Sequence, residues 1–537
     1  MSTTRVYMPQ PGLRSSEKME PRHEAKQGLN PGIGGGGYGG TTAASYSGRN
    51  GNGVVTDGLL VVAQNLWIES LGLQDVSVKL CSICRGSRSY HLTVSQQTPK
   101  RSWAAYARGG DSSDLGGCYS RIPLLRATHI TWELTLQDLA SRLAFHETLK
   151  KITLDSSFND VLPQTVGRCP PWPANMEEIE FGDHFDQVLD HFAWPPSLKQ
   201  LTLGRDFNQA VSDMALPEGL ERLTFGDRFD QTLIGFKWPQ GLKELTLGKS
   251  FNQSLCGVVW SETLEKLVLG DSFNQSLEGV SWPEGLKQLT LGDGFDQELQ
   301  RVLWPEGLIQ LTFGDSFNRP IQGVVWPAGL RHLTLGFFFN QPIHHVEWPP
   351  DLKQIIFGFY FDQPLDGVVW PEGLEEIVLV GNFNQPVVGQ RVHWPVGLKS
   401  LTLGYLFNQP LDGVAWPDGL ERLSFEGMAF NQPLGGVTWP RGLRELLFGS
   451  GFKQSMAGVV LPPGLRVLFL GHRNNNLLDG VEFPRGLERL SLGDAFNQPL
   501  GGVRWPEGLQ ELVIGYSFTR SIDDVVWPQG MRRLVIG

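Results

Sequence analysis

The chain has 537 residues and a formal net charge of −11. An acidic chain lacks the clustered basic surface that binds a phosphate backbone, so the composition argues against nucleic acid as a partner. Five cysteines are too few and too scattered for a disulfide framework, and no stretch approaches the roughly 18 apolar residues of a membrane span. The N-terminus also lacks the apolar core of a secretory signal. These properties predict an intracellular, cytoplasmic protein without membrane association.

In chain order, the composition divides the sequence into three segments: residues 1–57, 58–145 and 146–537. The first contains GIGGGGYGGTTAASYSGRNGNG, whose few apolar side chains cannot offset the entropy of ordering, and it is predicted to be a disordered tail. The second is predicted to be a small α+β domain or, alternatively, an N-terminal cap of degenerate repeats. In it LLVVAQNLWIESL favours a short amphipathic helix, while VSVKL and YHLTV alternate as strands do.

The third segment repeats one unit, which a phenylalanine marks at a strict 22-residue step. Small insertions interrupt the step later, and 17 copies occur in all. The marker positions are Phe158, Phe185, Phe207, Phe229, Phe251, Phe273, Phe295, Phe317, Phe339, Phe361, Phe383, Phe407, Phe430, Phe452, Asn474, Phe496 and Phe518. Because one unit cannot bury its own apolar side chains, successive units must stack and share a core.

The internal pattern of the unit predicts its conformation. In LKQLTL, the alternation of Leu289, Thr290 and Leu291 has the period of a strand, with the leucines facing inward. A glycine then opens a turn, and WPEG closes the coil, since proline fixes φ and removes a donor. The sequence therefore predicts a repeat solenoid with one short parallel β-strand per coil and turn or loop returns. The positions predicted to be apolar core are Leu286, Leu289, Leu291, Phe295, Leu299, Val302 and Trp304.

The stretches FNQPL, FNQPI and FNQSL, each followed by WP or LP and then GLxxLxLG, resemble the FNIP repeat, a 22-residue relative of the leucine-rich repeat. The resemblance covers about 390 residues. It implies a leucine-rich-repeat-like solenoid that binds other proteins, sometimes joined to F-box or kinase segments. Neither an F-box pattern nor a kinase motif is recognisable in this chain. Tryptophan before the proline, where many family members carry leucine, is a departure that enlarges the predicted core.

The residue after the marker phenylalanine is Asn in 11 copies and Asp in four. A short side chain with a carbonyl-type oxygen can accept backbone N–H groups at a tight turn, and stacking would place these bonds in a ladder. A row of ligand groups is the alternative. The structural interpretation is favoured because buried amides must find partners.

The clearest break in the repeat follows the strand, where most units carry Asp, Arg, Lys or Ser. There Gly-Asp-Ser gives way to Gly-Phe-Phe at Phe337 and Phe338, to Gly-Phe-Tyr at Phe359 and Tyr360, and after one coil to Gly-Tyr at Tyr405. Aromatic side chains at exposed positions of adjacent coils predict a partner-binding site. The alternative is local filling against the neighbouring coil.

Candidate metal ligands do not form a recognisable set. His332, His344 and His345 occupy different repeat positions. CSIC at Cys81–Cys84 is a lone CxxC without a second pair at zinc-site spacing, and a zinc site with the nearby Cys118 and His91 is the less favoured alternative. A column of acidic residues could hold cations weakly, although a solvated turn is the more ordinary explanation: Asp271, Asp293 and Asp315. No nucleophile elbow, P-loop, HExxH or dinucleotide fingerprint occurs. The sequence predicts no metal, no cofactor and no catalytic residue, with an enzyme inside residues 58–145 as the catalytic alternative.

These observations predict a non-enzymatic repeat scaffold that binds protein partners, whose identity the sequence does not reveal. A structural spacer or self-associating solenoid is the competing hypothesis. It is favoured by the sequence MRRLVIG, which stops directly after a strand without a polar capping coil. An uncovered strand edge is a route to end-to-end association, and Leu534 and Ile536 are the residues expected to mediate it.

Overall fold

The computed structural model describes residues 76–81, 91–96, 129–132, 150–159, 175–190, 192–388 and 392–537. Within these ranges the regular structure is a 21-stranded sheet, and no helix occurs there. No described segment has both the helical form and the apolar length that crossing a bilayer requires. The strands are β1 (Val76–Cys81), β2 (His91–Gln96), β3 (His129–Trp132), β4 (Lys151–Leu154), β5 (Glu178–Glu180), β6 (Gln200–Thr202), β7 (Arg222–Thr224), β8 (Glu244–Thr246), β9 (Lys266–Val268), β10 (Gln288–Thr290), β11 (Gln310–Thr312), β12 (His332–Thr334), β13 (Gln354–Phe357), β14 (Glu376–Leu379), β15 (Ser400–Leu403), β16 (Arg422–Phe425), β17 (Glu445–Phe448), β18 (Val467–Phe469), β19 (Arg489–Ser491), β20 (Glu511–Ile514) and β21 (Arg533–Ile536).

The strands pair in chain order. From β2 onward each strand pairs in parallel with the next, so that Leu267, Leu289 and Leu311 stand side by side on β9, β10 and β11. The first strand differs, because β1 pairs antiparallel with β2. This arrangement confirms the predicted fold class, with one short parallel strand per coil, and the two strands predicted from VSVKL and YHLTV.

The N-terminal predictions fall largely outside the described residues. The tail 1–57, the helix expected from LLVVAQNLWIESL and most of 58–145 lie there, as do Cys84 and Cys118. The strands that are described in this region continue the parallel pairing, since β2 pairs with β3 and β3 with β4. The division of the chain at residue 145 stays a prediction.

The core is the stack of inward-facing side chains that the 22-residue pattern predicts. In the unit that starts at Leu286, the side chains of Leu289, Leu291, Phe295 and Leu299 are almost fully buried, and Val302 and Trp304 are nearly so. On the strand between them, Gln288 is exposed and Thr290 half-buried. Alternation along the strand therefore sends leucine into the core and leaves the polar residues outside.

The marker phenylalanines form one column of buried rings along the array. Phe273, Phe295 and Phe317 stack with neighbouring ring centroids 6.1 Å apart. Large buried rings of this kind dominate the apolar area that a coil removes from water. The column is interrupted at Asn474, which is buried, and whose side-chain amide donates to the carbonyl oxygen of Gln454.

The tryptophans before proline form a second column, at the boundary of the core. Trp326 and Trp348 are buried, whereas Trp238, Trp282 and Trp416 are only partly buried against the core. Twelve indole N–H groups of this column have no hydrogen-bond partner among the described residues. The column therefore contributes through ring packing, as the core assignment expects.

The glycine that follows the strand in most coils, such as Gly292, has a role that the sequence did not reveal. The sequence assigned it to a turn, but Gly292 has no left-handed φ. Its backbone instead lies so close to the preceding coil that a Cβ atom there would overlap the carbonyl oxygen of Gly270. Close approach of two backbones, and not the turn conformation, excludes every side chain from this position. At the other end of the coil the predicted turn is present, since Leu286 N donates to Pro283 O across WPEG at 3.2 Å.

Candidate functional site

The two residues that follow the glycine after a strand are aligned with the corresponding residues of neighbouring coils by backbone hydrogen bonds. The second position donates its N–H to the carbonyl oxygen of the first position on the preceding coil. Phe338 N donates to Asp315 O at 2.8 Å, and Tyr360 N donates to Phe337 O at 3.0 Å. Residues that are 22 apart in sequence therefore become direct neighbours on the surface.

The five aromatic residues predicted from the broken repeat form one contiguous cluster, called here the aromatic patch: Phe337, Phe338, Phe359, Tyr360 and Tyr405. Phe337 stacks on Phe359 with ring centroids 5.1 Å apart, and Phe338 stacks on Tyr360 at the same distance. The two pairs also meet edge to face, since Phe337 and Tyr360 lie 5.5 Å apart. Each ring thus has at least one aromatic neighbour within the patch.

The rings of the aromatic patch pack against one another but remain partly exposed to solvent. Phe337, Phe338, Tyr360 and Tyr405 keep 39, 46, 43 and 42 % of their surface exposed, and Phe359 is half-buried. Local filling, the alternative interpretation, accounts for the ring–ring contacts. It does not account for four large side chains that each leave about two-fifths of their surface in water. Partner binding by the patch stays a prediction.

Gly381 occupies the first post-strand position on the coil between Phe359 and Tyr405, where the sequence breaks the Gly-x-x-Phe pattern. Because this position has no side chain, the ring centroids of Phe359 and Tyr405 approach to 6.5 Å although the two residues are two coils apart. Gly381 has φ +77°, and a Cβ atom there would overlap the carbonyl of Phe359. This glycine therefore makes the patch continuous, a role that sequence reasoning missed.

The apolar surface extends beyond the five predicted residues. Leu406 is 45 % exposed and follows Tyr405, and Met428 is 47 % exposed on the next coil. Leu406 N donates to Gly381 O at 2.8 Å, which places it in the same line as Tyr360. The sequence signal for both is the same as for the aromatics, an apolar residue where other coils carry charge, although the prediction named only aromatic residues.

On the other side of the aromatic patch, the same surface position is acidic on three successive coils, at Asp271, Asp293 and Asp315. Backbone bonds join them, from Gly294 N to Asp271 O at 2.6 Å and from Ser316 N to Asp293 O at 2.7 Å. Partial desolvation, followed by the like charge of Asp293, raises the pKa of both Asp271 and Asp315 above the usual range. The positive charge of Lys249 on the preceding coil acts against this shift at Asp271, whereas, among the described residues, no cation acts in this way on Asp315.

The Asn and Asp residues after the marker phenylalanine have the structural role that was favoured. Asn318 Oδ1 accepts the backbone N–H of Asn340 at 2.9 Å, and Asn340 Oδ1 accepts that of Asp362 at 2.9 Å. The neighbouring glutamine joins the ladder, because Gln341 Nε2 also donates to Asn318 Oδ1, at 3.1 Å. The acceptors are thus occupied by the next coil and are not a row of free ligand groups.

The histidines of this region do not converge on a common point. His332 Nδ1 lies 3.3 Å from Gln354 Oε1 on the strand face, while the rings of His344 and His345 meet edge to face at 5.0 Å in the loop. Across the described part of the chain, no group of three or more His, Cys, Asp or Glu side chains is arranged to hold a metal ion. His345 has φ +64°, a left-handed conformation that glycine adopts at the equivalent position of other coils, such as Gly323 and Gly367.

One exposed ionic cluster lies elsewhere on the array, around Asp206. Its carboxylate meets His184 Nδ1 at 2.7 Å, Arg228 Nε at 3.3 Å and Arg205 Nε at 3.6 Å. The hydrogen bond with His184 and the nearby arginine charges hold the pKa of Asp206 below its usual range. The two arginines offset the charge of Asp206, whereas Asp293 takes part in no ion pair among the described residues.

Comparisons with known proteins agree with this architecture. The family model described as FNIP Repeat matches residues 207–250, 251–294, 273–303, 295–338, 339–380 and 430–473. The chain is similar to CroV588, described as a novel circular LRR protein, with 29 % identity over 77 % of this chain and 70 % of that chain and a TM-score of 0.61. It is also similar in fold to a chain of the Toll–Spatzle complex, described as a molecular hub in Drosophila development and innate immunity. That match has 12 % identity, covers 87 % of this chain and 65 % of the other, and has a TM-score of 0.50. No curated protein matches the sequence.

Proposed function

Because this chain is a FNIP repeat protein with a leucine-rich-repeat-like solenoid, we propose that it is a non-enzymatic scaffold that binds protein partners through the aromatic patch. The strand face beside the patch, with residues such as Thr334 and Gln354, completes the proposed surface. Side chains here are spread along a line and do not converge on one reacting atom, which suits recognition better than catalysis.

One observation carries the proposal, namely the contiguous and half-exposed aromatic cluster. Aromatic side chains supply large contact area for little conformational entropy and are enriched where binding energy concentrates. In most other coils the same positions carry Asp, Lys, Arg or Ser, as at Lys249 and Ser250. An apolar cluster in water gains free energy only when a partner covers it.

The test is affinity capture from cell extract with the wild-type chain and a variant in which all five residues of the aromatic patch are Ser. We expect the variant to lose specific partners and to keep its fold, because the rings lie outside the core column. The matched control is Tyr516→Ser, which removes an isolated aromatic that is 72 % exposed at the same repeat position. Capture that is equal for all three proteins, or collapse of the patch variant in circular dichroism, would contradict the proposal.

A structural spacer is the alternative function, and the same experiment addresses it. If the wild-type chain captures nothing but itself, the array acts as a spacer or an assembling filament. For self-association the candidate contact is β21, where Leu534 is only partly buried and Ile536 is 42 % exposed. Replacing both with Lys should abolish concentration-dependent oligomers in sedimentation velocity, and unchanged association would exclude this strand as the contact.

A further inference from the structure

The charge beside the aromatic patch indicates the chemistry of its partner. We propose that the patch binds an extended protein segment that places basic side chains over Asp271, Asp293 and Asp315 and apolar side chains over the aromatic rings. This inference rests on the proposed function above and specifies the partner of the same surface. The segment would lie along the array and cross one coil after another.

The acidic column and the aromatic patch form one uninterrupted line. They occupy the same repeat position, with the three aspartates on the coils of Phe273, Phe295 and Phe317 and the first aromatics on the coil of Phe339. The junction is direct, since Phe338 N donates to Asp315 O at 2.8 Å. An extended segment that lies along the acidic column therefore reaches the aromatic patch if it continues in the same direction.

The three aspartates lack cationic partners of their own. Two other carboxylates at this position are paired, Asp227 with Lys249 at 3.5 Å and Asp494 with His472 at 2.8 Å. Among the ion pairs of the described residues, none includes Asp271, Asp293 or Asp315. The carboxylates on adjacent coils repel one another. A bound cationic side chain is attracted to them and also reduces this repulsion, and both effects stabilise the complex.

The spacing of the coils suits an extended chain. Side chains on one side of an extended segment recur every two residues, about 6.4–6.8 Å apart. The coils repeat at a shorter distance on this surface, 5.1 Å between the stacked rings of Phe337 and Phe359, so an extended segment covers each coil with one or two residues. An extended segment of about nine residues is therefore long enough to cross the five coils from Asp271 to Phe359, with basic residues ahead of apolar ones. A nucleic acid strand is disfavoured, because its phosphates would face the three aspartates.

The experiment uses a random nine-residue peptide library displayed on phage and selected on the full chain. We expect enriched peptides with Lys or Arg in one half of the sequence and aromatic or aliphatic residues in the other half. The variant Asp271→Asn/Asp293→Asn/Asp315→Asn should bind synthetic copies of these peptides about tenfold more weakly, as expected for three exposed ion pairs. Higher salt should weaken wild-type binding in the same direction.

A matched control removes three carboxylates that lie three or more coils away from the acidic column and the patch, in Asp183→Asn/Asp213→Asn/Asp494→Asn. It changes the net charge equally and should leave peptide affinity within about twofold, because surface charges beyond a Debye length are screened. One outcome would overturn this inference and leave the proposed function standing. In it, the enriched peptides lack basic residues and bind the variant Asp271→Asn/Asp293→Asn/Asp315→Asn as tightly as the wild type. The same peptides would not bind the five-Ser patch variant. Selection on the wild type that yields nothing beyond that on the patch variant would overturn both.

Discussion

The ladder of side-chain acceptors can be tested at Asn408, which lies between two other asparagines. Its Oδ1 accepts the N–H of Asn431 at 2.9 Å and Gln432 Nε2 at 3.2 Å, and Asn408→Ala removes both bonds. The glutamine keeps a second bond to Asn408 O at 2.8 Å. Each net hydrogen bond is worth about 0.5–1.5 kcal/mol, and water reaches this half-buried site, so the expected loss is about 1–2 kcal/mol.

The chain itself supplies the control, because Asp takes the same place in other coils. Asp362 Oδ1 accepts the N–H of Asn384 at 2.9 Å and Gln385 Nε2 at 3.0 Å, as Asn408 does for its own neighbours. Asn408→Asp should therefore stay within about 0.5 kcal/mol of the wild type, which is the usual range for a surface substitution that keeps its contacts.

Hydrogen–deuterium exchange is the most direct assay, since repeat arrays often do not unfold in one step and a global value would blur the effect. The amide of Asn431 should lose protection in Asn408→Ala and keep it in Asn408→Asp. Equal loss in the two variants, or unchanged protection in the alanine variant, would refute the claim that the carbonyl-type oxygen links the coils.

Three further variants test other contacts. Gly292→Ala, whose Cβ would overlap the backbone of the preceding coil, should cost roughly 3 kcal/mol in chemical denaturation, whereas Gly329→Ala, with 3.8 Å to its nearest neighbour, should be nearly neutral. His345→Gly should stabilise the fold by roughly 0.5–1 kcal/mol, since φ +64° is costly for a residue with a Cβ; a loss of stability would contradict this. Asp315→Asn should stabilise the fold at pH 7, because the raised pKa of Asp315 means that the folded chain disfavours the carboxylate. The advantage should vanish below about pH 4, where both folded and unfolded chains hold the proton; a constant advantage across that range would refute it.

The sequence by itself determined the repeat, the strand in each coil and the core. These follow from local periodicity, because alternation within LKQLTL decides which side chains face inward, and a unit with seven apolar positions must stack to bury them. The marker phenylalanines and the tryptophans before proline were assigned to the core from their regular spacing alone. The aromatic patch was visible for the same reason, since Phe337 and Phe359 stand where other units carry charge.

The tertiary structure decided everything that depends on two coils meeting. Whether a glycine is present for its φ or for a close approach cannot be read from its own coil, and at Gly292 the answer lies in the carbonyl of Gly270. The partner of each Asn acceptor is likewise a backbone amide one coil away. The rings of Phe359 and Tyr405 come close only because Gly381 places no side chain between them. Such contacts join residues 22 or more apart in sequence, and stacking alone brings them within the few ångströms over which packing and hydrogen bonds act.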